Sequence, residues 1–482
     1  MPVQGAALLD PSQPQPVPPR LRDTPLPGPM FALTPPGPVG GQIGTAHRMI
    51  VPDADPAGRW ALVCQAREDT DGNGAISFGI GDHGLNEGDT AAQYLVRGSG
   101  AGERIEGLIA RDPAGCWLVV ARARGEIVLL DVERGMGTEL FPSIESVRHE
   151  LYPLAPATIS FDSSGEHLLY RRRSKRRVLL VVRHLESGSE WVVDPGPGEL
   201  IDASWYPGSA WLRIEVVRED LNGDHRIDVP RDQQSPWVGT CGLGSTTFMA
   251  GHSEDVSVES VAWATGLRIS GKGHRPFGDE LIVPEEGAFV AVAPSGTRRA
   301  LQIESGCRPV FGDAIRGRVI ADCGGDDETV LVAFDARRRT RIGRRSQYLY
   351  STRVRSRVLE LNILNGGHTW LSLDSLRIVD VHGDALAVHG SRVLIRGEHD
   401  VVLDLATGRQ RRLRGPAYWW DVRGSGRYAY AGPWLVDLEL GRSLARLATR
   451  VYAMTTDGRV LVDAGEQVVR WLPWQAAARN SG

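Results

Sequence analysis

The chain has 482 residues, a formal net charge of −4 and a pI near 6.3, so no global charge draws it to nucleic acid or to an anionic membrane. Its 41% hydrophobic and 24% charged residues are ordinary for a soluble protein able to bury a core. No run approaches the roughly 18 to 20 apolar residues that a membrane-spanning helix needs.

In chain order, the first segment is proline-rich. Twelve of the thirty prolines lie between Pro2 and Pro38, and residues 1–47 read as a disordered or polyproline-like tail. Pro11-Ser-Gln-Pro14 and Pro16-Val-Pro-Pro19 are its candidate docking motifs, set against a plain flexible leader. Residues 1–41 show no cationic start followed by an apolar block, so no secretory leader is recognisable. Residues 475–482 read as a short C-terminal tail.

Residues 48–474 repeat one plan. Turns read Asp55-Pro-Ala-Gly-Arg-Trp60, Asp112-Pro-Ala-Gly-Cys-Trp117, Asp162-Ser-Ser-Gly-Glu-His167 and Tyr206-Pro-Gly-Ser-Ala-Trp211, at spacings of 57, 50 and 44 residues. Hairpins ending in glycine read Leu130-Asp-Val-Glu-Arg-Gly135, Arg183-His-Leu-Glu-Ser-Gly188, Leu403-Asp-Leu-Ala-Thr-Gly408 and Val436-Asp-Leu-Glu-Leu-Gly441. Apolar runs such as Ile127-Val-Leu-Leu130 suit strands covered on both faces. With 57 glycines and few long helix-like stretches, the pattern predicts an all-β fold. The architecture expected is a single β-propeller of four-stranded blades, seven of them, with eight as the alternative count. A β-sandwich or two smaller β domains is the competing arrangement. Residues 245–375 fit the repeat poorly.

The Asp-Pro-x-Gly-x-Trp turns and the charged hairpins resemble those of TolB-like and other WD-type propellers over residues 48–474, most clearly in the first four blades. The resemblance implies a recognition scaffold and carries no catalytic residues.

Two acidic loops align without a gap, Arg67-Glu-Asp-Thr-Asp-Gly-Asn-Gly-Ala-Ile-Ser77 and Arg218-Glu-Asp-Leu-Asn-Gly-Asp-His-Arg-Ile-Asp228. Oxygen-bearing side chains fall at alternate positions, the spacing a hard cation such as calcium requires. Each loop follows the expected second strand of its blade, Trp60 to Ala66 and Trp211 to Val217. The loops resemble integrin-type propeller calcium loops more than an EF-hand. By that resemblance Asp69, Asp71, Asn73 and Ser77 are side-chain ligands, with the Ala75 carbonyl between them. Asp220, Asn222, Asp224 and Asp228, with the Arg226 carbonyl, take those places in the second loop. Ser77 replaces a usual carboxylate and His225 a usual glycine, which weakens both sites. Without metal, the same residues make ordinary hairpin tips.

At the equivalent hairpin of the third blade stands Arg171, Arg172, Arg173, Lys175, Arg176 and Arg177, a partner-binding candidate for an acidic protein or a polyanion. Arg337 to Arg345 and Arg409 to Arg414 lie near outer-strand hairpins. Negative net charge and scattered clusters argue against nucleic acid.

The cysteines Cys64, Cys116, Cys241, Cys307 and Cys323 are odd in number and scattered, indicating neither a zinc site nor a disulfide framework. Cys64 and Cys116 read as small core residues. His83, His184, His225 and His252 read as surface or turn positions. No Gly-x-Ser-x-Gly pentapeptide precedes a helix, so an α/β-hydrolase partner domain is not indicated. The expected function is a non-catalytic module holding a protein or peptide on one disc face, with calcium stiffening the acidic loops. The alternative is a calcium-dependent hydrolase or lactonase with an axial site. The absent leader and scattered cysteines point to the cytoplasm, whereas calcium loops would suit an extracytoplasmic setting.

Overall fold

The computed structural model describes residues 49–475, except 67–90, 98–102, 123–125, 142–158, 175–176, 197–198, 218–255, 286–287, 325–328, 336–337, 346–348, 356, 364–367, 382–383, 397–399, 414–422, 432–433, 448–450 and 464–468. Every regular element named in it is a β-strand apart from one 3-10 turn, Ala314–Arg316. All strand pairs are antiparallel between chain neighbours, so each sheet is an up-and-down meander. One sheet has seven strands, seven have four and one has three.

The seven-stranded sheet is two meanders joined by one long strand. Glu103–Arg111 pairs through its first residues with Ala91–Arg97, and through Ile105 to Arg111 with Trp117–Arg122. Counted this way, ten meander units follow one another, starting at Met49, Glu103, Ser160, Glu199, Arg275, Arg308, Leu349, Asp384, Arg423 and Val451. These ten units are counted over the described residues alone. From the fifth unit on, the starts crowd closer than the turn spacings of the first four, because the connections there are short. The described residues from 256 to 375, in the region that fits the repeat poorly, nevertheless form regular strands.

Alternation along the strands decides how the units stack. In Trp117–Arg122, Leu118 and Val120 pack with Trp60 and Leu62 of unit one. Val119 and Ala121 of the same strand pack with Leu168, Tyr170 and Val181 of unit three. On the other face of unit three, Leu169, Leu180 and Val182 pack with Leu212, Ile214 and Val261 of unit four. Each central strand is thus covered on both sides, which is why Ile127–Asp131 is apolar but for its last residue and buried throughout.

The repeated turns interlock these sheets. Asp112 Oδ1 accepts the Trp117 N–H at 2.7 Å, closing its turn, and Gly115 supplies the positive φ of 73°. A side chain at Gly115 would also collide with the carboxylate of Asp55, so the turns of units one and two touch. Gly165 lies against Asp112 in the same way, and Gly208 N donates to Ser163 Oγ at 2.8 Å. The last unit meets the first with the same polarity: Gly58 lies against Thr455, and Thr456 N donates to the Pro56 carbonyl at 2.8 Å.

The cysteines depart from expectation. Cys307 and Cys323 form a disulfide just beyond the paired strands Arg308–Asp313 and Arg318–Asp322, and Cys64, buried in Trp60–Ala66, is also disulfide-bonded. Strand pairing, not sequence spacing, brings Cys307 and Cys323 together. Cys116 is a free, half-buried thiol in the second turn.

Candidate functional site

The candidate calcium ligands Asp69, Asp71, Asn73, Ala75, Ser77, Asp220, Asn222, Asp224, Arg226 and Asp228 lie outside the described residues. Their flanks are described. The strands Trp60–Ala66 and Ala91–Arg97 bracket the first loop, and Trp211–Val217 and Val256–Ala262 the second. Both loops therefore join the second and third strands of their units, as expected. Among the described residues no cluster of His, Cys, Asp and Glu is arranged to hold a metal ion.

The basic hairpin of unit three also joins second and third strands, His167–Ser174 and Arg177–His184. Two of its arginines are turned to opposite faces of the sheet. Arg171 is only 5% exposed and donates to the Ile201 carbonyl of unit four at 3.0 Å. Burial pulls its guanidinium down to about 10, against the favourable charge of Asp202. Arg172, on the opposite face, donates to Glu190 Oε2 at 2.9 Å. Lys175 and Arg176, and the side chains of Arg173 and Arg177, lie outside the described residues.

Glu190 is the centre of a buried cluster between units two and three. Its Oε1 accepts from Tyr170 at 2.6 Å and from Arg183 at 3.1 Å. Burial first, then the Glu190 charge, pushes the Tyr170 hydroxyl well above its ordinary value. All four side chains stand on strands of unit three, so their bonds tie three neighbouring strands of one sheet. Tyr206, Ser260 and His274 make a second buried chain between units four and five. The Ser260 hydroxyl lies 2.7 Å from His274 Nδ1 and 2.9 Å from Tyr206 Oη. A hydrolase uses such a serine–histidine contact, but both residues are buried here and admit no substrate. Burial, then the Arg275 charge, lowers the His274 imidazole.

A cluster of aromatic rings lies between units three and four, at the end where the repeated turns stand. His167, His184, Trp191, Trp205 and Trp263 are all half-buried there. The His167 ring is 4.7 Å from Trp263, 5.1 Å from His184 and 6.4 Å from Trp205, and Trp191 meets Trp263 edge-on at 5.0 Å. These are the separations of tilted and T-shaped aromatic contacts. His167 occupies the place that Trp60, Trp117 and Trp211 hold in neighbouring units. Trp60 and Trp211 donate their indole N–H to the next unit's turn, at Gly115 and Asp279. His167 instead donates from Nδ1 to Oδ2 of its own turn residue, Asp162, at 3.1 Å. Burial raises the Asp162 carboxyl, but hydrogen bonds from His167 and Ser164 outweigh it and hold the group below its ordinary value. The indole N–H of Trp191 is buried with no acceptor among the described residues. His184 is a turn residue, as expected, its Nδ1 accepting from Ser187 N at 3.1 Å, and its ring also borders this crevice through His167.

The signal for the crevice was present as the replacement of a repeat tryptophan by His167. What the sequence does not show is that Trp191, Trp205 and Trp263, from three further strand ends, converge on it.

No family model matches the chain, and no curated protein is similar enough to count as a relative. Among solved structures it is similar, at 12% identity and a TM-score of 0.32, to dihydro-heme d1 dehydrogenase NirN, over 80% of this chain and 76% of that one. It is similar to the β-propeller domain of Cps50 (Swd1) from Myceliophteria thermophila at 12% identity and a TM-score of 0.28, over 75% and 95% of the two chains. An acylaminoacyl peptidase follows at 13% identity and a TM-score of 0.31, over 61% of this chain. The chain spans about half the length of the peptidases it matches, 49% of that enzyme and 55% of the AtxE2 isopeptidase. Likenesses this distant decide nothing about fold or function, which rest on the sheets and side chains themselves.

Proposed function

We propose that the units form a single β-propeller that captures a protein or peptide without chemical catalysis. The ring reading is supported by the matching contacts of Gly115 on Asp55 and of Gly58 on Thr455, which treat the last and first units as neighbours. The binding reading is carried by the crevice of His167, Trp191, Trp205 and Trp263. Half-buried tryptophans gathered at one end of two sheets are the composition of a binding hot spot.

The proposal extends to calcium. Asp69, Asp71, Asn73 and Ser77, and Asp220, Asn222, Asp224 and Asp228, would hold the ion, with the Ala75 and Arg226 carbonyls. The support is their spacing and their equivalent places between second and third strands. The disulfide Cys307–Cys323 favours an oxidising compartment, where calcium is plentiful, over the cytoplasm.

The test is a peptide-display selection on the full chain, repeated on a Trp191→Ala/Trp263→Ala variant. Peptides retained by the natural chain and lost by the variant support the reading. Selected peptides indifferent to the variant, or no selection at all, overturn the crevice as the binding site.

A further inference from the structure

The arginines of this chain are not spread evenly. Residues 301–482 contain 27 arginines, no lysine and 20 carboxylates, although acidic residues outnumber basic ones in the whole chain, 59 to 55. The outer strands of units five, six, eight and nine read Arg-Arg-Ala-Leu, Arg-Thr-Arg-Ile-Gly-Arg-Arg, Arg-Gln-Arg-Arg and Arg-Ser-Leu-Ala-Arg, with no carboxylate in any. Those of units two and three, Met-Gly-Thr-Glu-Leu-Phe and Glu-Trp-Val-Val, carry no arginine. Charge on an edge strand ordinarily serves to keep edges from pairing with one another. Arg298, Arg299 and Arg339 fit that role, being engaged by Glu285, Glu280 and Glu304.

The edge Arg409–Arg412 stands out by its exposure. All four of its residues are exposed, and it is the terminal strand of its sheet. It pairs with Val401–Asp404 in the register Asp404 to Arg409 and Val401 to Arg412. Just beyond, Leu413 N donates to the Asp400 carbonyl at 2.9 Å. Bonded and non-bonded pairs alternate in an antiparallel ladder. Arg409 and Arg411 therefore direct their backbone groups to Val401–Asp404, while Gln410 turns its N–H and carbonyl outward. Beside them Leu440 is 44% exposed, and its carbonyl accepts from Arg411 Nη1 at 3.4 Å.

We infer that this edge accepts an extended acidic peptide segment of a partner protein as a fifth strand of unit eight. A nucleic acid or sulfated polysaccharide would satisfy guanidinium groups but has no use for the outward backbone groups of Gln410. A peptide strand uses both. Its alternate side chains face Arg409 and Arg411 on one side of the sheet. Carboxylates there make charge-assisted hydrogen bonds, and an apolar residue between them covers Leu440. The inference rests on the partner-capture reading but uses a different part of the molecule from the crevice.

The test is fluorescence anisotropy of the full chain with a labelled alternating Glu-Val dodecapeptide. The matching Lys-Val peptide, a twelve-nucleotide oligothymidine and a heparin dodecasaccharide serve as comparisons. Gln410→Pro removes the outward N–H and leaves the ladder to Val401–Asp404, since proline is tolerated where an edge N–H faces away from the sheet. Arg409→Ser/Arg411→Ser/Arg412→Ser removes the charge and keeps the backbone. The acidic peptide is expected to bind the natural chain, and each variant to weaken it about tenfold at low salt while melting as the natural chain does. Undiminished binding to the Gln410→Pro variant overturns strand addition. So does tighter binding of oligothymidine or heparin that ignores Gln410→Pro, which makes the edge a polyanion surface, and so does no binding of any probe. Peptides from the crevice selection that bind all edge variants equally would keep the partner-capture reading while this inference falls.

Discussion

Arg459 donates from Nη2 to the Ala57 carbonyl, repeating across the chain ends the bond that Arg59 Nη2 makes to the Ala114 carbonyl one unit further on. Each arginine sits at the same place after its turn and also pairs with an aspartate of that turn, Asp457 and Asp55. The contact that fastens unit one to unit two therefore also fastens unit ten to unit one. Arg459→Ala is expected to lower the unfolding free energy by about 1 kcal/mol, the scale of one partly exposed hydrogen-bonded pair. Arg59→Ala should cost more, because Asp55 is fully buried and would be left without its partner. Urea unfolding of the two variants side by side checks the order.

Glu190→Gln should be among the most damaging single changes. It leaves the Arg183 guanidinium, 7% exposed, with no countercharge between units two and three. Breaking such a pair costs about 3 to 5 kcal/mol. A melting temperature near that of the natural chain would show that Arg183 finds another partner.

The calcium proposal predicts a calcium-specific rise in melting temperature over excess EGTA, with magnesium as control. At about 100 times the dissociation constant the stabilisation is roughly 2.7 kcal/mol per site. Asp69→Ala/Asp220→Ala should abolish the rise. Equal melting in calcium and EGTA would reduce both loops to hairpin tips.

Reduction should also destabilise the fold. The Cys307–Cys323 bridge spans a sequence separation of 16, for which loop closure in the unfolded chain predicts about 3 kcal/mol. Cys307→Ala/Cys323→Ala, compared with the natural chain under a phosphine reductant, isolates this bridge from the one at Cys64.

A pH dependence follows from Asp162. Burial raises its carboxyl, but bonds from His167 and Ser164 outweigh that, so the folded value lies below the unfolded 3.8. A depressed carboxylate contributes stability that is fully present above the unfolded value and is lost as pH falls through the folded one. The stability gap between the natural chain and Asp162→Asn should therefore be constant above about pH 5 and shrink below pH 4. A gap unchanged down to pH 2 would count against the ionised contact.

Much of the first four units is legible in the sequence. Asp112 and Gly115 announce their turn because one closes it and the other alone tolerates its backbone, and the expected second strands Trp60 to Ala66 and Trp211 to Val217 are those observed. Later units are harder to count because their turns share no such residues. Phe277 and Glu280 flank one, while another is the 3-10 turn Ala314–Arg316 closed by Gly317. The disulfide was hidden because only strand register sets Cys307 opposite Cys323. Arg171 and Arg172 read as one basic run, yet successive strand residues face opposite ways, so Arg171 reaches the next sheet at Ile201 while Arg172 pairs with Glu190 of its own.

The strand Glu103–Arg111 has one more consequence. It joins units one and two through backbone pairing on both of its edges, whereas units ten and one meet through turns and side chains. In the proposed ring this makes a seam between units ten and one. Transient opening should begin there, remote in sequence from the crevice of units three and four, and hydrogen exchange would show the first two units opening as one block. A circular permutant that ties the ends across the seam, and is cut instead at a later short connection, would move that weak point without disturbing the crevice.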